Sequence, residues 1–174
     1  MAEEMRSPIE SGCPDAFQYM HPLMRKNYGQ WAYHEDIRPG VLVHVSNNGD
    51  KMFTVRAGTQ RILDLFTLRK LCDIGDEYGE GYIHFTIRSN IEYQVADEAK
   101  VEPLIKKLED EGFVVGGTRN AGTMISHTQG WLHCDIPGTD ASGVVKSMMD
   151  ELIDEFRSWD MPNRVHLTTS CCQI

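Results

Sequence analysis

Between residues 40 and 117 the apolar positions fall into short runs, then recur at helical spacing, then fall into short runs again. Val41-Leu42-Val43-His44-Val45 is a β-branched run that ends in Asn47-Asn48-Gly49-Asp50, a strong turn signal, and Met52-Phe53-Thr54-Val55-Arg56 reads as the strand that follows. Leu63, Leu65, Phe66, Leu68, Leu71, Cys72 and Ile74 then repeat with the period of a helix, with Asp64 placed to cap its start and Gly79 and Gly81 to end it. Tyr82-Ile83-His84-Phe85-Thr86-Ile87 and Ile91-Glu92-Tyr93-Gln94-Val95 read as two strands joined through Arg88-Ser89-Asn90. Val101, Leu104, Ile105 and Leu108 form the apolar stripe of a charged helix ending at Gly112, and Phe113-Val114-Val115 is a short strand closed by Gly116-Gly117. From Met52 onward the order is strand, helix, strand, strand, helix, strand. That is the split βαβ order of a ferredoxin-like α+β half-domain, an antiparallel sheet with both helices on one face.

The flanks carry weaker patterns. Residues 1–39 are interrupted by Pro8, Pro14, Pro22 and Pro39 and hold Phe17, Tyr19, Tyr28, Trp31 and Tyr33 among basic residues, which predicts an irregular arm packed along a body or a partner subunit. After Gly117, residues 118–126 are small and polar, and Trp131-Leu132-His133-Cys134 reads as a short strand. Residues 143–159 read as an amphipathic helix, and Val165-His166-Leu167-Thr168 as a strand leading into Ser170-Cys171-Cys172. The expected organisation is therefore an arm over 1–39, a ferredoxin-like half-domain over 40–117, and the beginning of a second α+β domain over 118–174, incomplete because the chain stops inside a motif.

Composition narrows the class. In 174 residues, 41% hydrophobic and 25% charged, a single sizeable core can be buried. The formal charge of −9 repels a phosphate backbone, so no nucleic-acid partner is expected. No apolar stretch reaches the roughly 20 residues of a membrane span, and the acidic N-terminus is no secretory signal, so a cytoplasmic location is expected. The five cysteines, Cys13, Cys72, Cys134, Cys171 and Cys172, are then reduced thiols, either buried apolar groups or ligands of a soft metal centre.

Three constellations carry candidate chemistry. Cys134 and the Cys171-Cys172 pair each follow a predicted strand, where thiolates hold iron–sulfur clusters; a vicinal pair ending an apolar strand is equally a buried core feature. Arg56 and Arg88 stand at strand ends with Thr86 and Asn90 nearby, a set that binds an anionic cofactor through bidentate forks or lies solvated at the surface. Ser126-His127-Thr128-Gln129-Gly130-Trp131 packs donors beside a glycine and an aromatic, which suits a large planar ligand or a polar turn.

The segments Lys26-Asn27-Tyr28-Gly29-Gln30-Trp31, Pro39-Gly40-Val41-Leu42-Val43-His44-Val45, His127-Thr128-Gln129-Gly130-Trp131-Leu132-His133-Cys134 and the terminal Cys171-Cys172 resemble the dissimilatory sulfite reductase beta-subunit family, over nearly the whole chain from about residue 20. The resemblance implies an oxidoreductase of sulfur metabolism that interconverts sulfite and sulfide through a siroheme coupled to a [4Fe–4S] cluster. It implies an alpha subunit as partner in an alpha2beta2 assembly, and a small sulfur-carrier protein of the same pathway. Carried over residue by residue, it makes Cys134, Cys171 and Cys172 metal ligands, and Arg56, Thr86, Arg88, Asn90, His127, Thr128, Gln129, Arg164 and His166 cofactor-binding residues. It names no catalytic residue in this chain. A fourth thiolate would fall at position 176, two residues past Ile174, and the ferredoxin domain usual downstream in the family would also lie beyond it. The competing expectations are a truncated, non-catalytic ferredoxin-like module for subunit association and, more weakly, a small-molecule regulatory domain.

Overall fold

The computed structural model describes residues 16–172, so the readings of Pro8, Pro14 and Cys13 lie outside the described residues. Its main body is a five-stranded antiparallel sheet built from β1 (Trp31–Arg38), β2 (Val41–Ser46), β3 (Lys51–Gly58), β4 (Ile83–Phe85) and β5 (Asn90–Val95), in the order β1-β2-β3-β5-β4. Two helices, α2 (Leu65–Tyr78) and α3 (Val101–Asp110), follow the short α1 (Pro22–Lys26) in chain order. Both pack on one face of the sheet. There Val41, Val43, Phe53, Val55, Ile91, Tyr93 and Val95 meet Leu71 and Ile74 of α2 and Leu104, Ile105 and Leu108 of α3. Asp64 caps α2 as its position predicts, its carboxylate accepting the Thr67 N–H at 2.7 Å. Gly75 leaves room for Ile83 and the Tyr93 ring, and the Tyr93 hydroxyl donates to the Leu71 carbonyl at 3.0 Å.

The strand order explains one departure from the ferredoxin-like expectation. Phe113-Val114-Val115 is not a full strand; it makes a single bridge, Val115 with Ala57. Its place along β3 is taken by β2, which pairs with residues 51–55 and leaves only the last residues of β3 open. The Gly116 N–H donates to the Arg56 carbonyl and the Gly58 N–H to the Val114 carbonyl, and there the pairing ends. Gly40, at φ +77°, is required at this crossing because a Cβ would stand 2.5 Å from the Gly116 nitrogen.

The expectation of irregular structure through residue 39 fails for Trp31–Arg38, which is the edge strand β1. It pairs with β2 along His34↔His44, Glu35↔Val43 and Asp36↔Leu42. None of its residues is buried, so no alternation of apolar and polar positions betrays it. The segment before it is held by polar links and by ring contacts of Phe17 with Tyr28 and of His21 with Tyr82. His21 bonds Glu80 at 2.9 Å, Lys26 pairs with Asp50 at 2.8 Å and the Asn27 side chain donates to the same carboxylate at 2.8 Å. Tyr19, Tyr28 and Tyr33 stay exposed.

Beyond Gly117 the chain is built differently. A parallel pair, β6 (Ser126–His127) with β7 (Thr168–Thr169), is extended by a bridge between Gly122 and Val165. The expected strand at Trp131–Cys134 is instead a 3-10 turn over Gly130–Leu132, because Gly130 at φ +59° reverses the chain and the Cys134 N–H returns to the Gly130 carbonyl. The expected single helix over 143–159 starts earlier and breaks at Leu152 into α4 (Ala141–Glu151) and α5 (Ile153–Arg157). The break seats Phe156 beneath Gly116 and Gly117, where it is 1% exposed and its carbonyl accepts the Gly117 N–H at 2.8 Å. Ile125, Val145, Met149 and Phe156 form the core of this region. Among the described residues no helix is long and apolar enough to cross a membrane.

Candidate functional site

The face of the five-stranded sheet opposite the helices is polar, as the alternation of β3 and β5 dictates: Thr54 and Arg56 on β3 and Glu92 on β5 project away from the apolar core. At its centre is Glu92, 8% exposed. Arg56 donates from Nε to Glu92 Oε1 at 2.7 Å and from Nη1 to the Gly117 carbonyl at 2.9 Å, and His84 Nδ1 meets Glu92 Oε2 at 3.0 Å. Burial alone raises the pKa of Glu92, but the bond from His84 and the charge and bonds of Arg56 outweigh it, so the carboxyl titrates below an ordinary glutamate. The bond to Glu92 in turn raises His84 against the partial loss of its hydration. Farther along, His34 and His44 meet Nδ1 to Nδ1 at 2.6 Å, and His44 Nε2 lies 2.9 Å from the Thr54 hydroxyl. Burial, followed by the neighbouring His34, lowers His44.

One edge of this face collects cations. Arg164 is lowered first by lost hydration and then by Arg56 and Arg88; His166 is lowered by the same loss and by Arg88 and Arg164. These groups therefore sit in one another's fields. Thr86 and Asn90 build the hairpin that presents Arg88: the Thr86 hydroxyl accepts the Asn90 N–H at 3.1 Å, and the Thr86 N–H donates to the Asn90 carbonyl at 2.9 Å. Asn90 is 3% exposed, and its Oδ1 and the Nη1 of Arg88 are buried without a hydrogen-bond partner. Buried polar atoms are nearly always partnered, so an orphaned guanidinium nitrogen beside the cation of Arg164 and the imidazole of His166 fits an anionic group held at this edge.

The second set of residues gathers around the thiols. Cys171 is buried, and its N–H donates to the Thr128 hydroxyl oxygen at 2.8 Å. Its carbonyl accepts the N–H groups of Gly138 at 2.6 Å and Thr139 at 3.2 Å. The Cys171 pKa lies below that of an ordinary thiol, chiefly through the Thr128 hydroxyl against the effect of burial; the Gly130 N–H and the Cys134 and Cys172 side chains add to the lowering. The structure thus brings Cys171 into contact with Cys134 and Cys172. Among the described residues no three His, Cys, Asp or Glu side chains form a ready metal cage. Three thiols with the Thr128 hydroxyl close by are donor types that an iron–sulfur cluster takes.

Of the remaining predicted residues, His127 bonds the Thr128 carbonyl through Nδ1 at 2.8 Å, and its own carbonyl accepts from Arg61. Gln129 is exposed and contributes its carbonyl, to the Ser142 hydroxyl at 3.3 Å. The two sets are joined by β7, with Arg164 and His166 before it and Cys171 after. Sequence reasoning missed Glu92, Arg61, His34 and His44. For Glu92 the sequence shows only an acid in a strand that alternates apolar and polar residues, which does not mark its partners.

Comparison with known proteins places this arrangement. Residues 44–111 match the nitrite/sulfite reductase ferredoxin-like half domain. A dissimilatory-type sulfite reductase subunit beta from Megalodesulfovibrio gigas is 41% identical over 179 residues, covering 98% of this chain and 68% of its own. The chain belongs to the dissimilatory-type sulfite reductase beta-subunit family. The subunits from Archaeoglobus fulgidus and Nitratidesulfovibrio vulgaris are each 44% identical, over 92% and 89% of this chain but 46% and 42% of their own lengths. The chain thus spans less than half the length of these two relatives. Among solved structures, dissimilatory sulfite reductase I aligns with a TM-score of 0.74 at 14% identity, covering 82% of this chain and 36% of that one. The NirA protein of Mycobacterium tuberculosis aligns with a TM-score of 0.58 at 17% identity, covering 70% and 23%. Both share the fold.

Proposed function

We propose that this chain works as part of the beta subunit of a dissimilatory-type sulfite reductase, a cytoplasmic enzyme that interconverts sulfite and sulfide together with an alpha subunit and exchanges sulfur with a small carrier protein. The observation that carries this reading is the 41% identity to a subunit of that enzyme across 98% of the chain. A match of that extent to enzyme subunits favours it over the association module. In this reading residues 40–117 are the ferredoxin-like half-domain and 118–174 begin the domain for siroheme and the [4Fe–4S] cluster. When bound, the siroheme iron supplies the centre at which the sulfur substrate changes oxidation state, and the cluster supplies its electrons.

The chain's own contribution is binding and orientation. Arg88, Arg164 and His166 offer N–H donors to carboxylates of the cofactor, and the unpartnered Arg88 Nη1 supports that role. Thr86 and Asn90 fix the hairpin from which Arg88 projects. Arg56 directs Nε, Nη1 and Nη2 inward, to Glu92 and the Gly117 carbonyl, and so holds the start of the second region against the sheet. Cys134, Cys171 and Cys172 offer three thiolates, with His127, Thr128 and Gln129 in the loop that shapes their surroundings. The test is to purify the full-length subunit with its alpha partner and measure iron, acid-labile sulfide, siroheme absorption and sulfite-dependent oxidation of a reduced dye. All four are expected; a complex without iron would end this reading.

A further inference from the structure

On the helix side of the sheet, beside the core residues Val43 and Phe53, a cavity of about 400 Å³ opens where the two regions meet. Its walls come from Glu35 on β1, Lys51 on β3, Glu98 ahead of α3, and Arg119 and Trp159 of the second region. Two features mark this wall as incomplete. Arg119 holds a left-handed backbone, φ +52°, which glycine adopts freely and a residue with a Cβ adopts at a cost. Its guanidinium lies 5.0 Å from the centre of the Trp159 ring, and the Trp159 Nε1–H is buried without an acceptor. Among the described residues no ion pair or hydrogen bond takes up the side chains of Glu35, Lys51, Glu98 or Arg119. Strain kept at a residue whose head group lacks a polar partner points to a role for that head group.

The signs of the lining define the ligand. The guanidinium and the indole N–H call for an acceptor, Glu35 and Glu98 for a cation, and the Val43 and Phe53 side for an apolar body. A plain carboxylate would leave the two acids unopposed, and an amine would leave the guanidinium so. A zwitterion with an apolar side chain meets all three demands, and the cavity has the volume of a small-molecule site. We propose that this cavity binds a free α-amino acid with an aromatic or branched apolar side chain. The carboxylate lies at Arg119 and the Trp159 N–H, and the ammonium beside Glu35 and Glu98. The site is on the side of the sheet away from Arg56 and Glu92, and it stands independently of the functional reading above.

The experiment titrates the full-length subunit, in complex with its alpha partner, calorimetrically with L-phenylalanine and with L-leucine. N-acetyl-L-phenylalanine and L-phenylalaninamide, each lacking one of the two charges, serve as comparisons. Saturable binding of at least one amino acid is expected, with both analogues about tenfold weaker, the scale of one lost charged hydrogen-bond partner. Arg119→Gly relaxes the left-handed backbone, so the thermal midpoint should hold while affinity falls about tenfold. Trp159→Phe keeps a ring and removes the N–H, and should weaken binding about fivefold. Failure of both amino acids to bind the wild type would overturn the proposal, as would analogues that bind equally well or a folded Arg119→Gly of wild-type affinity. If Arg119→Gly does not fold, Trp159→Phe decides: weakened binding supports the site, and wild-type affinity overturns it.

Discussion

Residues 31–117 and residues 118–172 are stabilised by different means. The first region has five strands, two helices on one face and fifteen buried apolar residues in a single cluster. The second has a two-residue parallel pair, a broken helix and a core of four. Its backbone is tied instead at single points: Gly117 N–H to the Phe156 carbonyl, Gly122 N–H to the Glu155 carbonyl, and Gly138 and Thr139 N–H to the Cys171 carbonyl. A region whose own core is small depends on what it is docked against, and here that is the end of β3 and the Gly116-Gly117 segment over Phe156. The family's ferredoxin-like model matches within the first region, at residues 44–111.

The largest expected effect comes from the residue that joins the two. Phe156→Ala removes a fully buried ring from beneath Gly116 and Gly117 and should destabilise by about 3–5 kcal/mol. Amide exchange should show the protection of residues 118–172 lost while β2, β3 and β5 keep theirs; equal loss across both regions would break the comparison. Next is Glu92→Gln, which weakens the bonds to Arg56 and His84 on the polar face and should lower stability by about 1–3 kcal/mol.

The same variant sharpens the pH dependence. The lowered Glu92 contributes stability that is present above an ordinary glutamate pKa of about 4.3 and is lost as pH falls through its lower folded value. The raised His84 contributes stability that is full below about 6.5 and is lost as pH rises through its higher folded value. The wild-type network is therefore strongest between about pH 4.3 and 6.5, the histidine part being the weaker because that side chain is largely exposed. Urea midpoints collected from below about pH 4.3 to above about pH 6.5 should fall at both ends in the wild type and lose both trends in Glu92→Gln. The smallest effect is expected from Ser142→Ala, which removes the exposed bond to the Gln129 carbonyl and should change the urea-derived stability by no more than about 0.5 kcal/mol. By contrast, Thr59→Val in the first region removes a buried 2.8 Å bond to the Ser89 carbonyl and should cost about 1 kcal/mol.

Legibility followed the same division. The runs at Val41–Val45 and Met52–Arg56, the Asp64 cap and the Val101, Leu104, Ile105, Leu108 stripe were all readable: the runs because apolar and β-branched residues are bounded by turn residues, the cap by its side chain, and the stripe because it buries one face and so imposes its period on the sequence. Trp31–Arg38 was not, since an edge strand exposed on both sides needs no alternation. Trp131–Cys134 was misread as a strand because β-forming residues there follow a glycine whose left-handed turn outweighs their propensity. At the site, Arg88, Thr86 and Asn90 could be picked out as a group from the hairpin. The enclosure of Glu92 by Arg56 and His84 joins three strands, and nothing local marks it.

The sequence by itself determined the helices of the first region and its sheet apart from the edge strand β1 and the single bridge at Val115, and which thiols and cations stand at element ends. It also carried the family, through strings such as His127-Thr128-Gln129-Gly130-Trp131 and Cys171-Cys172. Only the tertiary structure decided that β2 takes the edge of β3 that Phe113-Val114-Val115 would otherwise fill, that Arg56 turns inward to Glu92, and that Thr128 reaches Cys171. Periodicity reports the face an element buries, since burial acts on every second or every third and fourth residue. The partner of a polar group is a single contact between distant positions, and it leaves no repeat to read.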